Sequence, residues 1–142
     1  MKIHPIIAAN WKMNKTPNEG VKFFDKLDNI LADVKDLTII FGIPFTGLNS
    51  FSVKSPFFKA AQNCHWQDDG AFTGEISVSM IEECGAKYVI VGHSERRSLF
   101  NEKDGEINLK IKAILKRKLK PILCIGETLD ERKKNQTNNV LE

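Results

Sequence analysis

An α/β fold of parallel strands joined by crossover helices is predicted by three features of this 142-residue sequence. Apolar runs of strand length recur along the chain, segments of helical period separate them, and the runs are apolar almost without interruption. A strand needs that unbroken character when a helix layer covers one face and a second layer or a barrel interior covers the other. The runs fall at residues 6–9, 37–41, 57–61, 88–91 and 121–125.

Between the first two runs, Val21, Phe24, Leu27, Leu31 and Val34 recur at three- and four-residue steps with charged residues opposite, which predicts an amphipathic helix. After the third run, Ser79 with Glu82 reads as a capping box, Ile81 and Cys84 face inward, and Gly85 is suited to end the helix in a left-handed conformation. After the fourth, Ile107, Ile111, Ile114 and Leu115 form another stripe, with Asp104 as the expected N-cap. Lys116, Arg117 and Lys118 then stand at the negative end of that helix, where they suit its dipole better than they suit a binding patch. From 130 to 139 the chain is very polar, and Val140 and Leu141 read as the start of a new amphipathic turn, where a natural domain seldom closes. The expectation is one domain over residues 1–142, incomplete at its C-terminal end. Periodicity fits five strands of a barrel and five strands of an open sheet equally.

Composition narrows the class. A 42% hydrophobic share supplies one core, and the net charge of +3 comes from lysines scattered along the chain, so no nucleic-acid partner is expected. Cys64, Cys84 and Cys124 are odd in number and lack paired CxxC spacing, which argues against zinc, a redox dithiol and disulfides, and for a reducing compartment. The apolar stretch near the start is broken by Pro5 and is too short for a signal core or a membrane span. A cytoplasmic protein with no membrane partner follows.

Polar residues sit directly after the apolar runs, at the C-terminal strand ends where parallel α/β folds build their sites. Asn10 and Lys12 follow the first run, His93, Ser94 and Glu95 the fourth, and Gly126 and Glu127 the fifth. Lys12 would be a fixed cation for an anionic ligand or for charge developing on an oxygen, though a lysine there is equally a solvated surface residue. Asn10 reads as a neutral donor at the same mouth or as turn chemistry. His93 stands where a strand meets a helix start, so it reads either as a neutral hydrogen-bond donor or as a helix cap. Glu95 can pair with Lys12 or Arg96, or be an exposed helical glutamate. His4 and His65 stand apart from any cluster and read as structural.

Taken together and in this order, the strings AANWKMN, GAFTGEIS, YVIVGHSERR and PILCIGE resemble the triosephosphate isomerase family. The resemblance implies a (β/α)8 TIM barrel of which the first five βα units are present. It implies that Asn10 and Lys12 bind substrate, that His93 is the catalytic electrophile, and that Glu95 assists beside Lys12. The neutral state of that imidazole is a property of the family and not a deduction from this sequence. It further implies a homodimer in which the loop at residues 70–74 enters a second subunit and Thr73 reaches the partner's active site. Glu75 and Arg96 match a salt-bridge pair bracing that loop, Asn63 lies in the same interface region, and Cys124 has a packing role. The family reaction interconverts dihydroxyacetone phosphate and D-glyceraldehyde 3-phosphate, in glycolysis and gluconeogenesis, with no metal or organic cofactor.

The family chain is about 250 residues, the usual size of this barrel. The sequence at hand is therefore expected to stop before the catalytic glutamate, the lid and the glycine-rich phosphate turns. Alone it is expected to be inactive and marginally folded, because five strands leave an edge of unpaired backbone. The alternative is a noncatalytic half-barrel that serves as an interaction module through that edge.

Overall fold

The alternation of apolar runs and helical stripes is realised as parallel strands with helices between them. The computed structural model describes residues 4–141 except 32, 33, 35, 51 and 55, so residues 1–3 of the N-terminal stretch lie outside the described residues. In chain order the elements are β1 (Ile6–Asn10), α1 (Pro17–Ile30), β2 (Thr38–Ile43), α2 (Phe45–Leu48), β3 (Phe57–Ala61), α3 (Val78–Glu83), β4 (Tyr88–Val91), α4 (Ser94–Leu99), α5 (Asp104–Lys116), β5 (Lys120–Leu123), α6 (Leu129–Lys133) and α7 (Thr137–Leu141). The strands lie in the order β1-β2-β3-β4-β5, each parallel to the next. A doubly wound sheet reverses its strand order at a switch point, whereas a barrel adds strands in sequence. The described order is thus that of the first five βα units of a (β/α)8 barrel.

Alternation along each strand divides the apolar residues between two faces. Ile39, Phe41, Ile43, Phe57, Ala61, Val89 and Val91 join Phe24, Leu48, Val78, Ile81, Ile107 and Ile114 in the core under the helices. Ile40, Ala60, Tyr88 and Ile90 form a smaller cluster on the inner face, with Phe58, Ile122 and Cys124 partly buried against it. The outer strands are the least covered, with Ile6 and Ile7 on β1 and Leu123 on β5 exposed. No helix among the described residues is long and apolar enough to cross a membrane.

Helix starts follow local chemistry. Thr16 caps α1 in a full box: its N–H donates to Glu19 Oε2 at 2.7 Å, its Oγ1 accepts from the Glu19 N–H at 3.4 Å, and Pro17 follows at the first helical position. Two expected caps are displaced. Ser77, not Ser79, caps α3, accepting from the Met80 N–H at 3.4 Å, because the helix begins at Val78, which drops into the core with Ile81. The Ser79 hydroxyl instead shares a 2.7 Å hydrogen bond with that of Ser77. At α5 the cap is Lys103, whose N–H donates to Glu106 Oε2 at 3.0 Å. Asp104 is the first helical residue, and it pairs with Arg97 at 2.6 Å. The α1 stripe outruns its helix, since α1 ends at Ile30 and Leu31 is the cap, leaving Val34 beyond it. Gly85, at φ +76°, takes the left-handed conformation expected after α3.

Two lysines are buried. Lys59, in the middle of β3, points to the helix side, and its Nζ donates to the carbonyls of Leu48 at 2.8 Å and Cys84 at 2.5 Å. Those oxygens are the carbonyls exposed at the ends of α2 and α3, where a cation is favoured. Burial pushes the Lys59 ammonium below its usual pKa. On α5, Lys110 lies on the same face as Ile107 and Ile114 and is as deeply buried.

Two outcomes are expected. Ile114→Ala, at a fully buried position, should lower stability by about 2–5 kcal/mol, while Leu115→Ala, at a residue 56% exposed, should stay within about 0.5 kcal/mol. Equal shifts in the urea midpoints would contradict this packing. Because folded Lys59 holds its proton less tightly than the unfolded chain, its contribution makes stability rise with pH on approaching 10.5. Lys59→Met should flatten that rise in pH-dependent melting, and an unchanged slope would contradict the burial.

Candidate active site

Because the strands are parallel, their C-terminal ends open on one rim. At the end of β1, Trp11 extends the ladder by donating its N–H to the Gly42 carbonyl at 3.0 Å, and its ring packs against Phe23, Phe24 and Phe41. The next residue, Lys12, has φ 53°, a left-handed conformation that costs a lysine free energy unless its surroundings hold it. They do so through two bonds. The Lys12 N–H donates to Asn10 Oδ1 at 2.9 Å, and Gln62 Nε2 donates to the Lys12 carbonyl at 2.9 Å.

Gln62, immediately after β3, also reaches Asn10 Oδ1 at 3.1 Å and the Gly42 carbonyl at 3.0 Å. One amide group with two hydrogens shared among three acceptors thus joins the ends of β1, β2 and β3. Gly42 makes room for this arrangement. A Cβ there would lie 2.7 Å from Ile90 Cδ1 and 3.3 Å from Asn10 Oδ1, so a side chain would push the inner face apart.

At the end of β4 the chain turns at Gly92, and His93 becomes the N-cap of α4, with Nδ1 accepting the Glu95 N–H at 3.3 Å. An accepting Nδ1 carries a lone pair, so in the neutral ring the proton sits on Nε2, leaving that nitrogen as the donor for a ligand. Nδ1 also lies 3.5 Å from Glu95 Oε2, which is an ion pair only if the ring is charged. The neutral ring fits better, because the amide donor is closer and Lys12 Nζ already holds Glu95 Oε1 at 2.6 Å. The Lys12 hydrogen bond keeps the Glu95 carboxyl below the usual glutamate range.

Asn10, Lys12, Gln62, Asn63, His93, Glu95 and Arg96 line one cleft of about 230 Å³, rimmed by Met13, Phe45 and Phe100. Asn10 and His93 also line a smaller hollow of about 140 Å³ on the inner face, floored by Ala8, Ile40, Ile90, Ile122 and Cys124. A lysine ammonium, an asparagine and a histidine Nε2–H that converge on one space suit an anionic ligand and a developing oxyanion.

Behind the cleft, Asn63 Oδ1 accepts from Lys110 Nζ at 2.9 Å, and the same ammonium pairs with Glu102. Arg96 Nε meets Glu102 Oε1 at 3.3 Å, and its guanidinium lies 4.9 Å over the Phe100 ring. Burial pushes the Glu102 carboxyl up, but the hydrogen bond and charge of Lys110, with Arg96 adding to them, outweigh it and leave the carboxyl below its usual range. Thr73 and Glu75 are exposed beside a neighbouring hollow that they share with Arg96 and Phe100. Among the described residues no ion pair joins Glu75 to Arg96 within the chain. His65 braces the base of the 70–74 loop, stacked on Trp66 and against Phe72 with ring centroids 4.2 Å away in each case. Glu127 pairs with Arg132 at 3.7 Å and does not line the cleft. Burial raises the pKa of the Cys124 thiol and pushes that of Cys64 up to about 12, so neither is a ready nucleophile. Among the described residues no group of three or more His, Cys, Asp or Glu could hold a metal ion.

Gln62, Gly42, Lys110 and Glu102 were not singled out from the sequence. A signal for Gln62 existed, because AAQN repeats after the third run the pattern of a polar residue following an apolar one. Lys110 falls on the Ile107 and Ile114 stripe and was readable by spacing alone.

Comparison with known proteins supplies the context for this geometry. A family model described as triosephosphate isomerase matches residues 5–142. The chain is 48% identical over 141 residues to a triosephosphate isomerase of Alkaliphilus metalliredigens, covering 97% of this chain and 56% of that one. It is 48% identical to that of Syntrophotalea carbinolica and 43% identical to that of Trichlorobacter lovleyi, with the same coverage. The chain thus spans about half the length of these curated relatives.

The Lys12–Glu95 contact predicts a titration. A carboxyl held down by a cation stays ionised as pH falls below 4.5 and loses its pairing only at the lower folded value. Carbonyl-detected NMR of Glu95 should give a midpoint below 4.5 that returns toward it in Lys12→Met. Identical midpoints in the two proteins would show that the pair does not form in solution.

Proposed function

The chain belongs to the triosephosphate isomerase family, and on that premise we propose that its protein interconverts dihydroxyacetone phosphate and D-glyceraldehyde 3-phosphate. The observation that carries the reading is the shared cleft of Lys12, Asn10 and His93. In it, Asn10 and the Lys12 ammonium hold the triose phosphate, and the His93 Nε2–H donates to the substrate carbonyl oxygen. Withdrawing electron density from that oxygen acidifies the adjacent C–H. A carboxylate base then takes the proton from one carbon, the C–H electron pair becomes the C=C bond of an enediolate, and the carbonyl electron pair moves to oxygen. Lys12 and His93 stabilise that oxygen while it gains a proton and the hydroxyl on the first carbon loses one. The C=C electron pair then takes the proton back at the neighbouring carbon as the new C=O bond forms at the first, which completes the isomerisation. Proton transfer leaves the redox state unchanged, so no metal or organic cofactor is called for.

Glu95 is not the carbon base, because its carboxylate is committed to Lys12. The base comes from the part of the relatives' length that this chain does not span, so residues 1–142 alone are essentially inactive. The protein works in glycolysis and gluconeogenesis in the cytoplasm. A second copy of the protein completes the site as a homodimer. What supports this is the apolar rim of the cleft, where Met13 is 97% exposed and Phe100 66% exposed, beside the exposed Thr73. In that dimer Glu75 of one copy meets Arg96 of the other, and Asn63 lies under the contact. The exposed β1 and β5 edges favour a second reading, a noncatalytic module that recruits another chain. The convergent donors of the cleft have no purpose in such a module.

The test is kinetic. In the complete enzyme carrying these residues, His93→Gln and Lys12→Met should each lower turnover by roughly 10²-fold or more in a coupled isomerase assay. Near-normal turnover in either variant would refute the assignment, as would ordinary activity from residues 1–142 alone.

A further inference from the structure

The second arginine of the GHSERR string has no part in the cleft, yet its guanidinium makes the most connected set of contacts at the end of β4. Arg97 Nε donates to the Gly92 carbonyl at 2.8 Å. Its Nη2 reaches the Cys124 carbonyl, just past β5, at 3.5 Å, and its Nη1 meets Asp104 Oδ1, at the start of α5, at 2.6 Å. One rigid plane therefore spans the ends of two strands and the start of a helix.

Gly92 is built into the same arrangement. It sits at φ +68°, which favours glycine, and a Cβ there would lie 3.0 Å from Arg97 Nη2, 3.0 Å from Ile107 Cδ1 and 3.3 Å from the Cys124 carbonyl. The space of the missing side chain is filled by the guanidinium, by α5 and by the β5 backbone. The peptide they enclose is the one that leads into His93.

His93 has weak means of fixing its own ring. Among the described residues its one side-chain hydrogen bond is the 3.3 Å contact from the Glu95 N–H, so the direction of Nε2 depends on how the 92–93 peptide is oriented. We infer that Arg97 is a positioning residue: by gripping the Gly92 carbonyl it sets the turn that aims His93 into the cleft. Stability is a poor explanation for the contacts. Asp104 is 88% exposed, and an ion pair so open to water contributes little. A lysine would keep the charge and the Asp104 contact but could not hold both carbonyls from one plane.

The inference rests on the isomerase reading for the importance of His93, but its test does not need turnover. In the complete protein labelled with ¹⁵N-histidine, the wild-type ring should show a proton on Nε2 and an accepting Nδ1. Arg97→Gln and Arg97→Lys should both move His93 toward mixed tautomers or broaden its signals. In the isomerase assay they should lower kcat about 10- to 100-fold with little change in KM, the signature of a displaced catalytic group. Melting temperatures identify the folded variants, and Arg97→Lys, which keeps its charge, decides the matter if Arg97→Gln does not fold. Wild-type His93 signals in a folded variant would overturn the inference. Failure of the isomerase reading looks different: wild type itself would lack turnover, while the ring signals would still respond to Arg97.

Discussion

The carboxamide of Gln62 ties the ends of three parallel strands to the backbone of Lys12, and the rest of the site depends on that tie. Lys12 stands in a left-handed conformation that a lysine does not favour, held from one side by Asn10 and from the other by Gln62. Once the backbone is held there, the ammonium reaches Glu95 on α4, and β1 becomes linked to the segment that carries His93. The parallel ladder supplies the raw geometry by bringing the strand ends to one rim, and the polar tie turns that proximity into a defined direction for each donor. The close approach at Gly42 has the same origin, since Asn10 can lie over the inner face only where the neighbouring strand has no side chain.

Charge is used sparingly and with partners. The buried Lys110 and Glu102 offset each other's desolvation, and they join Asn63 to Arg96 behind the cleft. Such a pair adds little net stability over an apolar replacement, but losing one partner would strand the other in a poor dielectric. Lys59 solves the same problem with carbonyls, closing the ends of α2 and α3 with one ammonium. The exposed Lys116 and Arg117 contacts to Asp68 and Glu82 are a different class, screened by water and tying the loop after β3 to the ends of α3 and α5.

Much of this was legible in the sequence, and the failures have physical causes. The runs at 57–61 and 88–91 coincide with β3 and β4 because burial on both faces makes a strand apolar throughout. The bounds of β1, β2 and β5 shift by one or two residues because pairing with the neighbour ends a strand, as in Asn10 with Gly42 and Lys120 with Tyr88. Ser77 and Ser79 are chemically equal as caps, and only the packing of Val78 selects the first. Lys59 lies inside the apolar run at 57–61 and Lys110 on the Ile107 and Ile114 stripe, but the groups that hold their ammonium ions lie 8 to 47 residues away in sequence. Gln62 was missed for the same reason, its acceptors lying 20 to 52 residues away. Strand order is equally nonlocal, so the barrel was readable through family resemblance and not through periodicity.

In the proposed reaction His93 and Lys12 act together on one substrate oxygen. The most direct measurement is the infrared carbonyl stretch of dihydroxyacetone phosphate bound to the complete enzyme. Polarisation by the two donors predicts a band moved to lower wavenumber than in water, and largely restored when His93 is replaced by glutamine. A bound carbonyl absorbing as it does in free solution would contradict the account.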